Sequence, residues 1–257
     1  MKLWRSLIIA FGMYSALPMP RVEWDEDGMK YALCFFPLVG LAVGASLGLW
    51  ALLCRALGFG APLLAAGLTL LPLAVTGGIH MDGFCDTADA LGSRRSREEK
   101  LRILSDSHAG AFAVMGAAGY FLLTWALWQE LAPALTGRLL GALGLGFVLS
   151  RALSGLGVAA FRLAKGSGLV HAFATAAQKR TVALADGLLA LFCAGAMIWL
   201  APGPGLGAVA GAAAAFGYYR FMAYRQFGGT TGDLAGFFLE TCELMMLAGA
   251  AVGLRLA

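Results

Sequence analysis

The residues with the most chemistry in this sequence lie in one run, Gly77-Gly78-Ile79-His80-Met81-Asp82-Gly83-Phe84-Cys85-Asp86-Thr87-Ala88-Asp89. Wound as a helix at about 100° per residue, Asp82, Asp86 and Asp89 fall within about a 60° arc of one face. Like charges stacked this way repel, more so beside low-dielectric segments, so the pattern calls for a shared cation. Donors that are all oxygen select Mg²⁺ or Mn²⁺ over zinc. Three acids on a helix are more often a solvated face, but these interrupt an otherwise apolar sequence, which favours the metal.

A second concentration lies near the end of the chain. Gly228-Gly229-Thr230-Thr231-Gly232-Asp233 is a glycine-rich turn whose backbone N–H groups can face an anion. Asp233, Glu240 and Glu243 continue it into an apolar helix, where acids are costly and mark a site facing the bundle interior. Arg151, just after Ser150 in another apolar run, is a partner for a phosphate or a carboxylate. Arg94 and Arg95 head a basic stretch with Arg97, Lys100 and Arg102 that can hold phosphates or anionic headgroups. His80 and His108 read as hydrogen-bonding groups, not metal ligands.

The elements that must position these residues are membrane spans. The 257 residues are 60% hydrophobic and 13% charged, against about 25% charged in soluble domains. An all-α, polytopic membrane bundle follows, formed as one domain over residues 1–257 with no linker composition dividing it. Seven segments are long enough to cross: about Tyr31 to Leu53, Ala61 to Gly78, Gly110 to Trp128, Leu139 to Ala160, Val182 to Leu200, Leu206 to Tyr224 and Leu234 to Leu254. Leu3 to Leu17 is too short to span, and reads as an uncleaved interfacial helix against the bundle. The five cysteines show no paired or metal-binding spacing.

Basic residues sort by side. With the N-terminus cytoplasmic, fifteen face the cytoplasm: Lys2, Arg5, Arg21, Lys30, Arg94, Arg95, Arg97, Lys100, Arg102, Arg162, Lys165, Lys179, Arg180, Arg220 and Arg225. Three (Arg55, Arg138, Arg255) face the other side. This bias sets the N-terminus in and the C-terminus out, and it accounts for the net charge of +4 without a nucleic-acid partner. The aspartates then face cytoplasmic metabolites. Residues 79–109 form the cytoplasmic acidic motif and its loop, in which Ser96-x-x-Glu99 is a capping box opening a short amphipathic helix.

The run from Gly77 to Ala90 resembles the acidic signature of the cobalamin synthases, the adenosylcobinamide-GDP ribazoletransferases. Leu17-Pro18-Met19-Pro20, Phe36-Pro37-Leu38-Val39-Gly40, Asp106-Ser107-His108-Ala109-Gly110, Ser150-Arg151 and Gly228 to Asp233 match in the same order over most of the chain. It departs at Phe84-Cys85, where that family more often has Leu-Ala, and at His108, where it often has Arg, so no phosphate-binding role is given to His108. The resemblance implies an inner-membrane enzyme of late corrin biosynthesis that joins adenosylcobinamide-GDP to α-ribazole or its 5′-phosphate, with Mg²⁺, and releases GMP. It implies Asp82, Asp86 and Asp89 on the metal, with Asp82 also catalytic. A nearby carboxylate, Asp106 or Asp233, is expected to accept the hydroxyl proton. His80, Arg94, Arg95, Ser107, Arg151, Gly228, Gly229, Thr230, Thr231, Gly232, Glu240 and Glu243 are the expected substrate-binding residues. A homodimer and association with neighbouring enzymes of the pathway are compatible with this reading.

Other classes fit less well. CDP-alcohol phosphotransferases share an Asp-Gly followed by spaced aspartates, but carry Ala-Arg where this chain has Asp86-Thr87. Intramembrane prenyltransferases need a second paired aspartate motif. A cation or proton transporter would place its acids near the midplane, whereas these gather at one face.

Overall fold

In the computed structural model, which describes residues 2–165 and 169–257, every apolar run of the sequence is helical. The helices are α1 (Lys2–Tyr14), α2 (Glu26–Met29), α3 (Ala32–Leu57), α4 (Ala61–Thr76), α5 (Ile79–Gly92), α6 (Arg97–Ile103), α7 (Ala111–Leu131), α8 (Gly137–Ala160), α9 (Leu169–Ala176), α10 (Lys179–Leu200), α11 (Pro202–Met222) and α12 (Gly232–Leu256). Among the described residues the only β-type pairing is one parallel bridge, Leu163 with Thr230.

Five of these, α3, α7, α8, α10 and α12, are long and apolar enough to cross a bilayer. The pair α4 and α5 would add a sixth span if counted as one, but it is bent by 97° at its break. The chain is therefore a membrane protein. The seven expected segments all occur as helices in the expected places, while five to six reach the length and apolarity of a span. The difference lies in α4, which has 16 residues, and in α11, which is 21 residues long but built largely of Gly and Ala.

Those small residues let α11 press its backbone on α12. A Cβ on Gly207 would fall 2.0 Å from the Gly249 carbonyl oxygen, and one on Gly211 would fall 2.3 Å from that of Met245. Gly203 meets Gly253 in the same antiparallel register. In lipid, where apolar surface gives helices no reason to associate, this backbone packing supplies the attraction. α8 is the most enclosed of the spans, whereas α7 and α10 turn Leu122, Leu123, Leu188, Leu191, Phe192 and Trp199 outward, as lipid-facing helices do.

The α4–α5 bend is made by Gly77 and Gly78, with φ of 64° and 80°. Two successive left-handed residues stop α4 and redirect the chain at little steric cost only because neither has a side chain. α1 is short, as expected, and lies on α3 with Ile8, Ile9 and Ala10 buried while Leu3 and Trp4 stay exposed. The chain leaving α1 crosses the bend, where Ala16 N donates to Val75 O at 2.8 Å. Ser96 and Glu99 form the expected capping box at the start of α6.

Replacing Gly207 with Leu should force α11 and α12 apart. We expect a loss on the order of 3 kcal/mol, near the upper end for overpacking, seen as a lower melting temperature in detergent beside an unchanged Leu188→Ala control on the lipid face.

Candidate active site

The acidic helix α5 is seated across the start of α12 by a second glycine contact. A Cβ on Gly83 would lie 2.8 Å from Asp233 O and 2.9 Å from Asp233 Cα, and one on Gly236 would lie 2.8 Å from His80 O. The crossing brings Asp82 and Asp86 beside Asp233 of α12. Burial, then the charges of Asp82, Asp233, Asp89 and Asp106, pushes the Asp86 carboxyl up to about 7. Carboxylates from two ends of the sequence thus share one electrostatic site.

The aspartates do different work within it. Asp89 is turned to α7, its two oxygens accepting from Gly110 N at 2.5 Å and Ala113 N at 2.9 Å. It therefore caps the N-terminus of α7, where a negative charge also meets the positive end of the helix dipole. Asp106 is exposed and accepts from His108 N at 3.0 Å, with His108 Nδ1 2.8 Å from the same oxygen. Hydrogen bonding to His108 holds the Asp106 carboxyl below its ordinary range, which makes it a weaker base. Ser107 is exposed on the same turn. Asp82 remains exposed, and Asp233 is half-buried, accepting from Thr231 Oγ1 at 3.3 Å.

Asp82 and Asp233 open on a cavity of about 400 Å³. Its polar side is completed by Lys165, Thr230, Thr231 and Gly232, and its apolar side is made by α1, α3, α8, α9 and α12. Lys165 is the functional residue the sequence reading missed. It counted there only as a topology marker, yet it lies close enough to Asp233 to offset its charge and donates to Ser105 Oγ at 2.6 Å. Its partners are remote in sequence, so no local signal could have found it.

The glycine-rich turn plays a narrower part than expected. Gly228 N and Gly229 N donate to Ala223 O, and Thr230 N donates to Arg162 O at 2.8 Å. These three N–H groups are used within the protein and do not form an anion cradle. The turn instead delivers Thr230, Thr231, Gly232 and Asp233 to the cavity, held by a Tyr219–Thr230 hydroxyl contact and by Arg162 Nε on Gly228 O at 2.8 Å. Arg94 and Arg95 are exposed outside the cavity, and Arg95 pairs with Glu99 at 3.1 Å.

Arg151, Glu240 and Glu243 are separated from the aspartates. Arg151, 1% exposed, is ion-paired to Glu243, and Ser150 Oγ donates to the same carboxylate oxygen at 3.1 Å. Glu240 shares a hydrogen bond with Tyr120 of α7. Of the two partners expected for Arg151, phosphate or carboxylate, the structure supplies the carboxylate. This group ties α8 and α7 to α12 and lies outside the 400 Å³ cavity.

Among the described residues no three Asp, Glu, His or Cys side chains close into a ready-made cage for a metal ion. The donor chemistry of Asp82 and Asp86 nonetheless fits Mg²⁺, which is typically held by one or two carboxylates together with substrate phosphates and water.

A crossing of acidic helices beside a mixed cavity suits several phosphate chemistries. Residues 6–251 match the model of the cobalamin-5-phosphate synthase family. The chain belongs to that family. Among its relatives, an adenosylcobinamide-GDP ribazoletransferase of Lachnoclostridium phytofermentans is 44% identical over 98% of this chain and 94% of its own. Those of Desulfitobacterium hafniense and Chlorobaculum tepidum are 37% and 35% identical, covering 96% and 97% of this chain and 96% of their own length in each case. No solved structure matches. Within the cobalamin-5-phosphate synthase family, then, the acidic signature of this member is split between an electrostatic cluster and a helix cap.

The split predicts opposite stability effects in metal-free protein. Asp89→Ala should lower stability by about 1–2 kcal/mol, the usual cost of losing a cap, whereas Asp86→Asn, which relieves repulsion, should leave the melting temperature unchanged or raise it. Thermal unfolding in detergent with EDTA reads both.

Proposed function

We propose that this chain is an adenosylcobinamide-GDP ribazoletransferase of the bacterial inner membrane. It joins adenosylcobinamide-GDP to α-ribazole or its 5′-phosphate and releases GMP. The observation that carries the reading is the meeting of Asp82 and Asp86 with Asp233 at a cavity that also presents Lys165. The basic-residue bias supports the N-terminus in, the C-terminus out and this site facing the cytoplasm.

Asp82 and Asp86 would hold Mg²⁺ on the pyrophosphate, with Asp89 adding negative charge while it caps α7. Bound there, the ion would neutralise charge on the phosphoryl oxygens. A ribose hydroxyl attacks the phosphorus attached to the corrinoid side chain, the bond from that phosphorus to the bridging oxygen breaks, and GMP leaves with the oxygen. The hydroxyl proton passes to Asp233, which lines the cavity, while Asp106 stands outside it on a turn with His108. Lys165, beside Asp233, adds positive charge at the attacking end of the site. Such a reaction asks the protein mainly for positioning and charge.

Two measurements on purified protein in liposomes test this. With adenosylcobinamide-GDP and α-ribazole phosphate, product and GMP should form only with Mg²⁺ or Mn²⁺, and Asp82→Ala should lower kcat/KM by about a hundredfold or more. Most activity surviving in Asp82→Ala would remove that residue from the site. Asp233→Asn should cost about 10²- to 10⁴-fold in kcat, the range for a lost general base, and Asp106→Asn should stay within about tenfold of wild type; the reverse order would exchange their roles.

A further inference from the structure

The cavity has a second chemistry that the phosphate-handling residues do not use. Away from Asp82, its wall is a set of rings in mutual contact. Tyr14 packs on Phe36 with centroids 4.1 Å apart, on Phe173 at 6.0 Å and on His80 at 6.2 Å, and Phe36 lies 5.7 Å from His80. Leu33, Val158 and Leu239 continue the apolar lining. This end is closed, with Leu33, Phe36 and Phe173 buried, whereas Asp82 and Gly232 are exposed and mark the open end.

A polar atom without a partner is set among these rings. His80 is 4% exposed, and among the described residues its Nε2 has no hydrogen-bond partner although it belongs to a residue lining the cavity. A buried ring nitrogen left without a partner costs free energy, so its presence there points to a partner that arrives with a ligand. The cavity thus has an aromatic wall, a buried ring nitrogen without a partner, and a carboxylate and lysine opening.

Size decides between the two substrates. A volume of about 400 Å³ lies near the small end of ligand pockets, enough for a nucleoside and far too little for a corrin macrocycle carrying a guanosine nucleotide. We propose that the cavity is the binding site of the ribazole substrate, entered base first, with the flat heterocycle against Tyr14, Phe36 and Phe173 and a ring nitrogen or sugar hydroxyl on His80 Nε2. This rests on the transferase reading above. The sugar then lies toward Asp233 and Lys165, with its hydroxyl directed to the open end, and the corrinoid pyrophosphate reaches that end from outside. On this arrangement α1 is a wall of the substrate site as well as an interfacial helix.

The test is equilibrium binding of radiolabelled α-ribazole to the full-length protein in nanodiscs, which does not depend on turnover, paired with steady-state kinetics. Phe173→Ala and His80→Phe should each raise the Kd for α-ribazole by about tenfold, while the KM for adenosylcobinamide-GDP stays within about twofold. Phe173→Ala should in addition gain at least about tenfold in kcat/KM for an α-ribazole analogue with one more fused ring, relative to its value for α-ribazole, a gain that misfolding cannot produce. Unchanged α-ribazole binding in both variants, or a rise confined to the KM for adenosylcobinamide-GDP, would overturn the proposal. Nucleoside binding that follows the predicted pattern in a protein that makes no cobalamin product would uphold the subsite and overturn the transferase reading instead.

Discussion

The close crossing of α5 on α12 is the constraint on which the site depends. Two carboxylates about 6 Å apart repel by about 3 kcal/mol at an effective dielectric of about 20, so aspartates will not gather unless backbone packing holds them. Gly83 against the Asp233 backbone and Gly236 against His80 supply that packing. The glycines are as much part of the candidate site as the acids, because a side chain at either would lift one acidic helix off the other. Around this contact, the Gly77–Gly78 bend aims α5 across the bundle end, and the tight α11–α12 pair fixes the helix on which α5 rests.

The acids divide by whether the protein itself neutralises them. Glu243 lies inside the bundle with Arg151 as counter-ion and Ser150 as a further donor, an arrangement in which removing one partner would strand the other charge. Asp89 is satisfied by the first N–H groups of α7. Among the described residues Asp82 and Asp86 have no comparable arrangement, and the crowding falls on Asp86. Charge that the fold leaves uncompensated at one face, while compensating it elsewhere, is what a site for a cation and a polyanionic substrate requires.

Much of this was legible in the sequence because its causes are local. Membrane-length apolar runs fix the helices, Ser96 and Glu99 fix the cap of α6, and the spacing of Asp82 and Asp86 puts them on one face. What was not legible arises from contacts between distant segments. Asp89 has the same spacing signal as its neighbours, yet α7 arrives beside it and takes both oxygens. Asp233, Glu240 and Glu243 suggested one cluster from their spacing on α12, but their neighbours differ, with Lys165 beside the first, Tyr120 beside the second and Arg151 beside the third. The glycine-rich turn suggested exposed N–H groups, and the Arg162–Lys165 segment pairs with it instead. In each case the residue type was informative and the partner was not.

The N-terminal helix shows how a segment with no motif of its own becomes part of the mechanism. At 13 residues α1 cannot cross the bilayer, and its apolar face is buried on α3. Its last residue, Tyr14, forms the centre of the aromatic wall, and two residues later Ala16 is hydrogen-bonded to Val75 just before the Gly77–Gly78 bend. The wall that contacts the base and the bend that aims the aspartates are therefore joined by a few residues of chain. The same short stretch thus packs against the apolar end of the cavity through Tyr14 and holds the end of α4 through Ala16, just before the bend.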